Sequence, residues 1–498
     1  MSNTSAEKGS AAFFKDTGWS LLGQVVPIIF AIIAIPILLR TLGVEKFGFL
    51  TVAWAVIGYA SLFDLGLGRS MTRIVAAELA EGNIAEVKRS IATGMLFLFA
   101  LGSVMSATVV MLRSQIVVDL LHISPALQLQ AEYALLLLAL SIPVVVSTAG
   151  YTGVLGAYKW FREINIVRIY LGVLALALPV GVSLFTTELH YIVGAVVFVR
   201  VCSNLVYALI CFKCCEYRFF RGIPSWSSAK RLLGVGMWLN VSNVVGPLLG
   251  YLDRLLLGTI VPMNSVAFYT APYDLLSRTM VFPAALTTVL FPRAASVNRL
   301  SAEAWSMISS STRATLVVMF PVTLACFLFA DHALRLWLGE EMAINGALVV
   351  KILSVGVLFN ALAQPAATGI QANGNPRAIA VTHLIELPVF ILLFWQLTTH
   401  FGLAGAAVAA ATRFVADAAI MFVLACHSMQ RRPRISLGVC FIFAVASSML
   451  AFSAQSNSAG VALAAFPVFA LTFVSLAWHV LLQKSERQRV RFVVLRAL

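Results

Sequence analysis

Apolar stretches of 18 or more residues recur from Gly18 to Leu481, separated mostly by short polar segments. A helix needs about 20 mostly apolar residues to cross roughly 30 Å of hydrocarbon, and lipid admits only backbones that satisfy their own polar groups. The chain therefore reads as an all-α polytopic membrane protein of about fourteen transmembrane helices. Composition agrees: 60% of the 498 residues are hydrophobic and 11% charged, against roughly a quarter charged in soluble domains.

Spans are expected at Gly18 to Leu39, Phe47 to Leu67, Ile91 to Leu112, Tyr133 to Gly156, Ile166 to Phe185, Tyr191 to Phe212 and Leu233 to Ile260. Seven more follow: Val266 to Phe291, Ala314 to Ala330, Ala347 to Ala372, Ala378 to Leu397, Leu403 to Ala425, Leu437 to Phe452 and Ala459 to Leu481. The first follows Lys8 and Lys15 but is too long for a signal-peptide core and lacks a small-residue cleavage site, so it is expected to be retained.

A net charge of +14 would suggest nucleic acid in a soluble protein, but here its position matters more. Lys and Arg of short loops stay cytoplasmic. One set of loops holds Arg69, Arg73, Lys88 and Arg89, then Lys159, Arg162 and Arg168, then Lys213, Arg218, Arg221, Lys230 and Arg231. Arg293, Arg299, Arg313, Arg377, Arg431, Arg432, Arg434 and the tail from Lys484 to Arg496 continue the series. The opposite face has Arg40, Lys46, Arg113 and Arg335 at or near helix ends. Both termini are thus expected in the cytoplasm of a bacterial inner-membrane protein, with no nucleic-acid partner. The seven cysteines read as lipid-facing or core thiols, since no pair falls in a loop on the oxidising side.

An internal repeat is visible. Phe49-Leu50-Thr51-Val52-Ala53-Trp54 matches Phe268-Tyr269-Thr270-Ala271-Pro272-Tyr273, and Thr152-Gly153-Val154 matches Thr368-Gly369-Ile370. Gly194-Ala195 with Arg200 resembles Gly405-Ala406 with Arg413. Six helices per copy is an even number, so both copies share one orientation and are expected to be related by an axis along the membrane normal. The domains follow: a cytoplasmic N-terminus at 1–17, an N-lobe at 18–215, a cytoplasmic loop at 216–232, a C-lobe at 233–430, two further helices within 435–482, and a basic tail at 483–498.

No phosphate-binding loop, nucleophile elbow or metal-ligand spacing of His and Cys occurs. Neither a cofactor nor a metal is expected, and no candidate outer loop is long enough for a catalytic domain. The informative residues are ionisable groups inside spans, because a charge at the bilayer centre costs about 2.5 to 3.5 kcal/mol on insertion scales and so faces protein or water. The basic set is Arg200, Arg254, Arg278, Lys351 and Arg413; the acidic set is Asp64, Asp253, Asp274, Glu386 and Asp417. Asp274 with Arg278, and Arg413 with Asp417, are spaced four apart, so each pair can neutralise itself on one helix face. Arg200 has no carboxylate within a turn and needs a partner from another helix, or an anion. Lys351 and Arg254 sit nearer helix ends, where long stems can reach the interface. Glu386 and Asp417 are the candidates for proton coupling, Glu386 the better one because Arg413 is within reach of Asp417, with hydrogen bonding of Glu386 to His383 or to a neighbouring helix as the alternative. The prolines inside spans either mark kinks that line a cavity or are tolerated curvature.

The stretch Leu39-Arg40-Thr41-Leu42-Gly43-Val44-Glu45-Lys46-Phe47-Gly48, then Asp64-Leu65-Gly66-Leu67-Gly68, and further on Tyr273-Asp274-Leu275-Leu276-Ser277-Arg278, resembles the Wzx-type O-antigen and exopolysaccharide flippases. These are polysaccharide transporters of the multidrug/oligosaccharidyl-lipid/polysaccharide (MOP) exporter superfamily. The resemblance implies two six-helix lobes around a central cavity, two added helices, and alternating-access transport of an undecaprenyl-diphosphate-linked oligosaccharide. On that reading Arg200, Arg413, Arg278, Lys351 and Arg254 are the substrate-binding candidates, and Glu386, Asp417, Asp274 and Asp64 the coupling or structural charges. A proton or sodium gradient is the candidate energy source. Membrane lipids are expected partners, a polysaccharide polymerase and chain-length proteins are candidate ones, and the chain is expected to be a monomer. The intramembrane charges balance, so a strongly cationic cavity is not evident. A peptidoglycan-precursor (lipid II) flippase and a multidrug exporter of the same superfamily stand as alternatives. A membrane-embedded polymerase or ligase is disfavoured by the missing long outer loop.

Overall fold

The computed structural model describes residues 30–214, 222–234 and 252–430, apart from a few single positions, and isolated residues elsewhere. The start of the first expected span, most of the seventh, the thirteenth and fourteenth, and the basic tail lie outside the described residues. Among the described residues every regular element is helical.

The first repeat runs α1 Phe30–Leu42, α2 Val44–Leu62, α3 Leu67–Ala80, α4 Ile84–Met111, a short turn with a π segment over Arg113–Gln115 and Ile116–Leu120, α5 Gln128–Ala157, α6 Phe161–Ser183 and α7 Leu189–Cys214. A short helix, α8 Trp226–Gly234, follows. The second contains α9 Met263–Arg278, α10 Val281–Ala295, α11 Ala302–Leu328, α12 Ala330–Leu338, α13 Glu340–Ala372 and the long α14 Pro376–Ser428. Seven described helices are long and apolar enough to cross a membrane.

From α2 to α7, the described elements have counterparts in the second series. The break between α2 and α3 has its counterpart between α9 and α10, the segment 113–120 its counterpart in α12, and α6 with α7 theirs in the two halves of α14. Gly402 separates those halves at φ 57°, ψ −138°, a conformation that a side chain with a Cβ disfavours. Over these described elements the order of helices and breaks is alike in the two series.

The structure corrects the sequence reading in two matching places. The second span was expected to run to Leu67, but α2 stops at Leu62 because Asp64 turns the chain: its carboxylate accepts Gly66 N at 2.9 Å and Gly68 N at 3.2 Å. The eighth span was expected as one helix, but it breaks after Arg278, where Thr279 N and Met280 N bond back to Leu276 O and Ser277 O. Elsewhere helices are longer than expected. Polar first turns cap them: Asn83 Oδ1 accepts Glu86 N at 3.3 Å at the start of α4, and Ser301 Oγ accepts Ala304 N at 3.0 Å at the start of α11. The helices containing Pro143, Pro179, Pro272, Pro321, Pro365 and Pro388 run through them, so these six prolines end no helix.

The chain forms two compact units, Met1–Ala271 and Pro272–Leu498, with α9 crossing the division. In the first, α5 is the central element. A Cβ on Gly153 would lie 2.4 Å from Gly68 O, so α3 and α5 touch backbone to backbone, and Thr72 Oγ1 donates to Gly153 O at 2.9 Å across that contact. In the second, α13 takes the same place. Ala363, Ala366 and Ile370 of α13 form a buried core with Ile379, Met421 and Ala425 of α14, and Gly369 packs against the Ile308 side chain of α11.

Candidate functional site

Among the described residues, a compact group of intramembrane ionisable side chains lies in the second unit and is built by the fold of α14. His383 and Glu386 stand about one turn apart on its first half, Arg413 and Asp417 on its second, and the reversal at Gly402 turns the halves face to face. One ligand-type atom from each of His383, Glu386 and Asp417 lies within 4.8 Å of the others. His383 Nε2 is 3.5 Å from Asp417 Oδ1. Both carboxylate oxygens of Glu386 are buried without a hydrogen-bond partner. A carboxyl so placed and so little engaged can take a proton or help hold a small cation.

The pairing of Arg413 with Asp417 expected from their spacing is not formed. The Arg413 guanidinium lies over the rings of Phe390 and Phe414, at 5.1 and 4.5 Å from their centroids, so π faces take the place of the carboxylate. Asp417 faces the other half of the helix pair and meets His383 instead. The alternative partnership of Glu386 with His383 is not made as a hydrogen bond, although the two share the cluster.

In the first unit, Arg200 is half-buried on α7. One turn further, the Asn204 amide donates to Val144 O at 2.8 Å and to Ser147 Oγ and Thr148 Oγ1 at 3.0 Å, a polar bridge that fixes this stretch of α7 on α5. Arg254 does not snorkel: it is buried, at 5% exposed. Its neighbour Asp253 is also buried and accepts Tyr269 OH at 2.9 Å and Arg254 N at 2.9 Å. Asp64 is the turn former described above, which accounts for it structurally. Lys351 is half-buried on α13, and Asp274 and Arg278 lie on the last turns of α9, also half-buried.

Two further features escaped the sequence reading. The motif around Gly43 ties down a turn: Glu45 Oε1 accepts Ser124 N at 3.1 Å, and Lys46 Nζ donates to Thr187 O at 2.8 Å. The expected loop 216–232 runs into α8 at Trp226, capped by Ser225, whose Oγ accepts Ser228 N at 3.2 Å. Arg231 of α8 reaches Glu78 of α3 at 2.8 Å and Glu86 of α4 at 2.9 Å, and Ser90 Oγ donates to Glu78 at 2.9 Å. Burial lifts the Glu78 carboxyl above its ordinary range despite Ser90 and Arg231 beside it. The cap sequence Pro224-Ser225 ahead of an amphipathic run was the legible signal.

Long apolar helices, with turns at Asp64 and Thr279 and ionisable groups inside spans, make this a polytopic membrane protein. The chain belongs to the family described as polysaccharide biosynthesis protein, whose model matches residues 13–298. A relative from Shigella flexneri named "Putative O-antigen transporter" is 30% identical over 82% of this chain and 97% of its own. Among solved structures, an inward-facing multidrug resistance MATE family transporter superposes with a TM-score of 0.67 at 14% identity, over 82% of this chain and 98% of that one. The lipid II flippase MurJ in an inward closed conformation gives 0.65 at 12% identity, over 92% and 98%.

Proposed function

We propose that this protein is a flippase that moves an undecaprenyl-diphosphate-linked oligosaccharide from the cytoplasmic to the outer leaflet of a bacterial inner membrane by alternating access. The observation that carries the reading is the near full-length match to a relative named as an O-antigen transporter. The repeat of helical elements supports it, because repeat-built transporters work by moving one copy against the other. Arg200, Arg413, Arg278, Lys351 and Arg254 are the candidates for the diphosphate, a guanidinium being suited to fork onto phosphate oxygens. The His383, Glu386 and Asp417 cluster is the candidate coupling site, for a proton or a sodium ion. In the orientation set by the basic loops, the termini, the Lys159 turn and α8 face the cytoplasm. Polymerase and chain-length proteins are the candidate partners in assembly.

The test is genetic and chemical together. Deleting the gene should abolish surface polymer and accumulate lipid-linked repeat unit on the cytoplasmic side, and the intact gene should reverse both. Surface polymer unchanged in the deletion would refute the reading. In a cysteine-free variant, single cysteines in the segments around Ser124 and Gly339 should react with an impermeant thiol reagent in intact cells, and ones around Ser225 and Arg432 should not.

A further inference from the structure

Thr51 and Thr270 hold matching positions in the repeat, 219 residues apart, and they touch. Thr270 Oγ1 donates to Thr51 Oγ1 at 3.1 Å, with both side chains fully buried. A residue meets its own counterpart only at or beside the two-fold that relates the copies. The contact therefore marks the local two-fold between α2 and the first turns of α9. The backbones there are as close as they can come, since a Cβ on Gly48 would lie 2.1 Å from Met263 O. Phe47, Leu50, Met263 and Val266 seal the contact, each at most 1% exposed.

The hydrogen bonding is arranged to be released. Thr51 Oγ1 also donates to Gly48 O at 2.7 Å, and Thr270 Oγ1 has a second acceptor in Val266 O at 2.9 Å. If the two helices part, each hydroxyl keeps a partner on its own helix, and no orphaned polar group opposes the separation. Beside α2 lies a cavity of about 150 Å³ between Phe49, Val52, Val56, Leu120, Leu256 and Thr259, which gives the helix room to shift. The Arg231 contacts with Glu78 and Glu86 differ in kind, because breaking them would strand a buried carboxylate.

We propose that the Thr51–Thr270 contact is a releasable latch: it closes the outer end of the transport route by self-pairing of the repeat and parts once in each cycle. The inference rests on the flippase reading and adds the place at which the outer side opens. Thr51 and Thr270 are positioning residues in this role and need not touch the substrate.

The test uses the full-length protein in its membrane, free of native cysteines, with Thr51→Cys and Thr270→Cys combined and a protease site placed in the turn at Lys159. Oxidation should hold the two proteolytic fragments together on a non-reducing gel. Surface-polymer export should fall in proportion to the joined fraction and return on reduction. A pair that never joins, or a joined protein that exports as well as the reduced one, would overturn the latch. A second arm reads opening without export: Thr51→Cys alone should be modified by an impermeant thiol reagent in intact cells, more slowly than a cysteine at Ser124. No modification after the Ser124 control is complete would overturn the latch, and this arm decides if the double variant is inactive before oxidation. Should the unmodified protein fail to restore export, the flippase reading falls while the labelling still judges the latch.

Discussion

His383 Nε2 stands 3.5 Å from Asp417 Oδ1, and this contact across the two halves of α14 takes the carboxylate that helical spacing assigns to Arg413. Glu386 completes the group with two buried oxygens that no donor satisfies. Because a charge in a span is retained against a large insertion cost, such a group is a functional candidate before it is a structural one. Glu386→Gln is expected to keep its level in the membrane, lose most export, and lose dependence on the imposed pH gradient. Export measured in vesicles at several gradients checks this, and wild-type gradient dependence in the variant would remove Glu386 from coupling.

Arg413 stacks on Phe390 and Phe414, so its removal breaks no salt bridge to Asp417. Arg413→Ala should cost about 0.5 to 2 kcal/mol of stability, the range of a cation–π contact, and leave protein in the membrane while export falls. Arg413→Lys and Arg200→Lys should retain part of the export, since an ammonium offers a point charge and no planar fork. Surface polymer measured against protein level separates the roles. Normal export from both Ala variants would mean that neither arginine binds substrate, and loss of the protein itself would make the arginines structural.

The two sides of the ion pair between α3 and α8 should respond with opposite sign. The ordinary carboxyl value for Glu78 is 4.5, and burial raises it in the folded protein. A raised value means that this group favours folding most below its unfolded pKa and that the advantage is lost as pH rises through the folded one. The ionised carboxylate is therefore the form that burial disfavours in the folded protein. Glu78→Gln is expected to leave the melting temperature at pH 7 unchanged or higher. Arg231→Ala, which strands Glu78, should destabilise by about 1 to 3 kcal/mol. Thermal melting of detergent-purified protein at pH 5 and pH 7 checks both, and the Glu78→Gln gain should shrink at the lower pH.

Asp64→Ala removes the acceptor of two backbone N–H groups at the start of α3 and should cost about 1 kcal/mol, the usual worth of such a cap. Gly153→Ala places a methyl group 2.4 Å from Gly68 O. Since backbone must then move, it should cost about 1 to 3 kcal/mol, as overpacking does. Melting temperature and membrane level should rank the parent above Asp64→Ala and Asp64→Ala above Gly153→Ala. A Gly153→Ala protein as stable as the parent would show that α3 and α5 can separate freely.

What the sequence determined alone is what depends on one helix at a time or on position along the chain. Span lengths follow from hydrocarbon thickness, loop charges alternate because Lys and Arg stay on one side, and the matches around Thr51 and Thr270 or Thr152 and Thr368 show that elements recur. The family motifs could be read, but not their work: Asp64 closes a turn, and Glu45 with Lys46 anchors another. A hydropathy window cannot see the break at Asp64 or at Thr279, because a few residues with their own hydrogen bonds interrupt the helix without interrupting the apolar run. Only the tertiary structure decided which partners meet. Spacing of four offers Asp417 to Arg413, but the reversal at Gly402 brings His383 nearer and gives Arg413 two aromatic faces. The contact of Thr51 with Thr270 joins residues 219 apart: sequence similarity can say that two positions are equivalent, and only packing around a two-fold can bring them together.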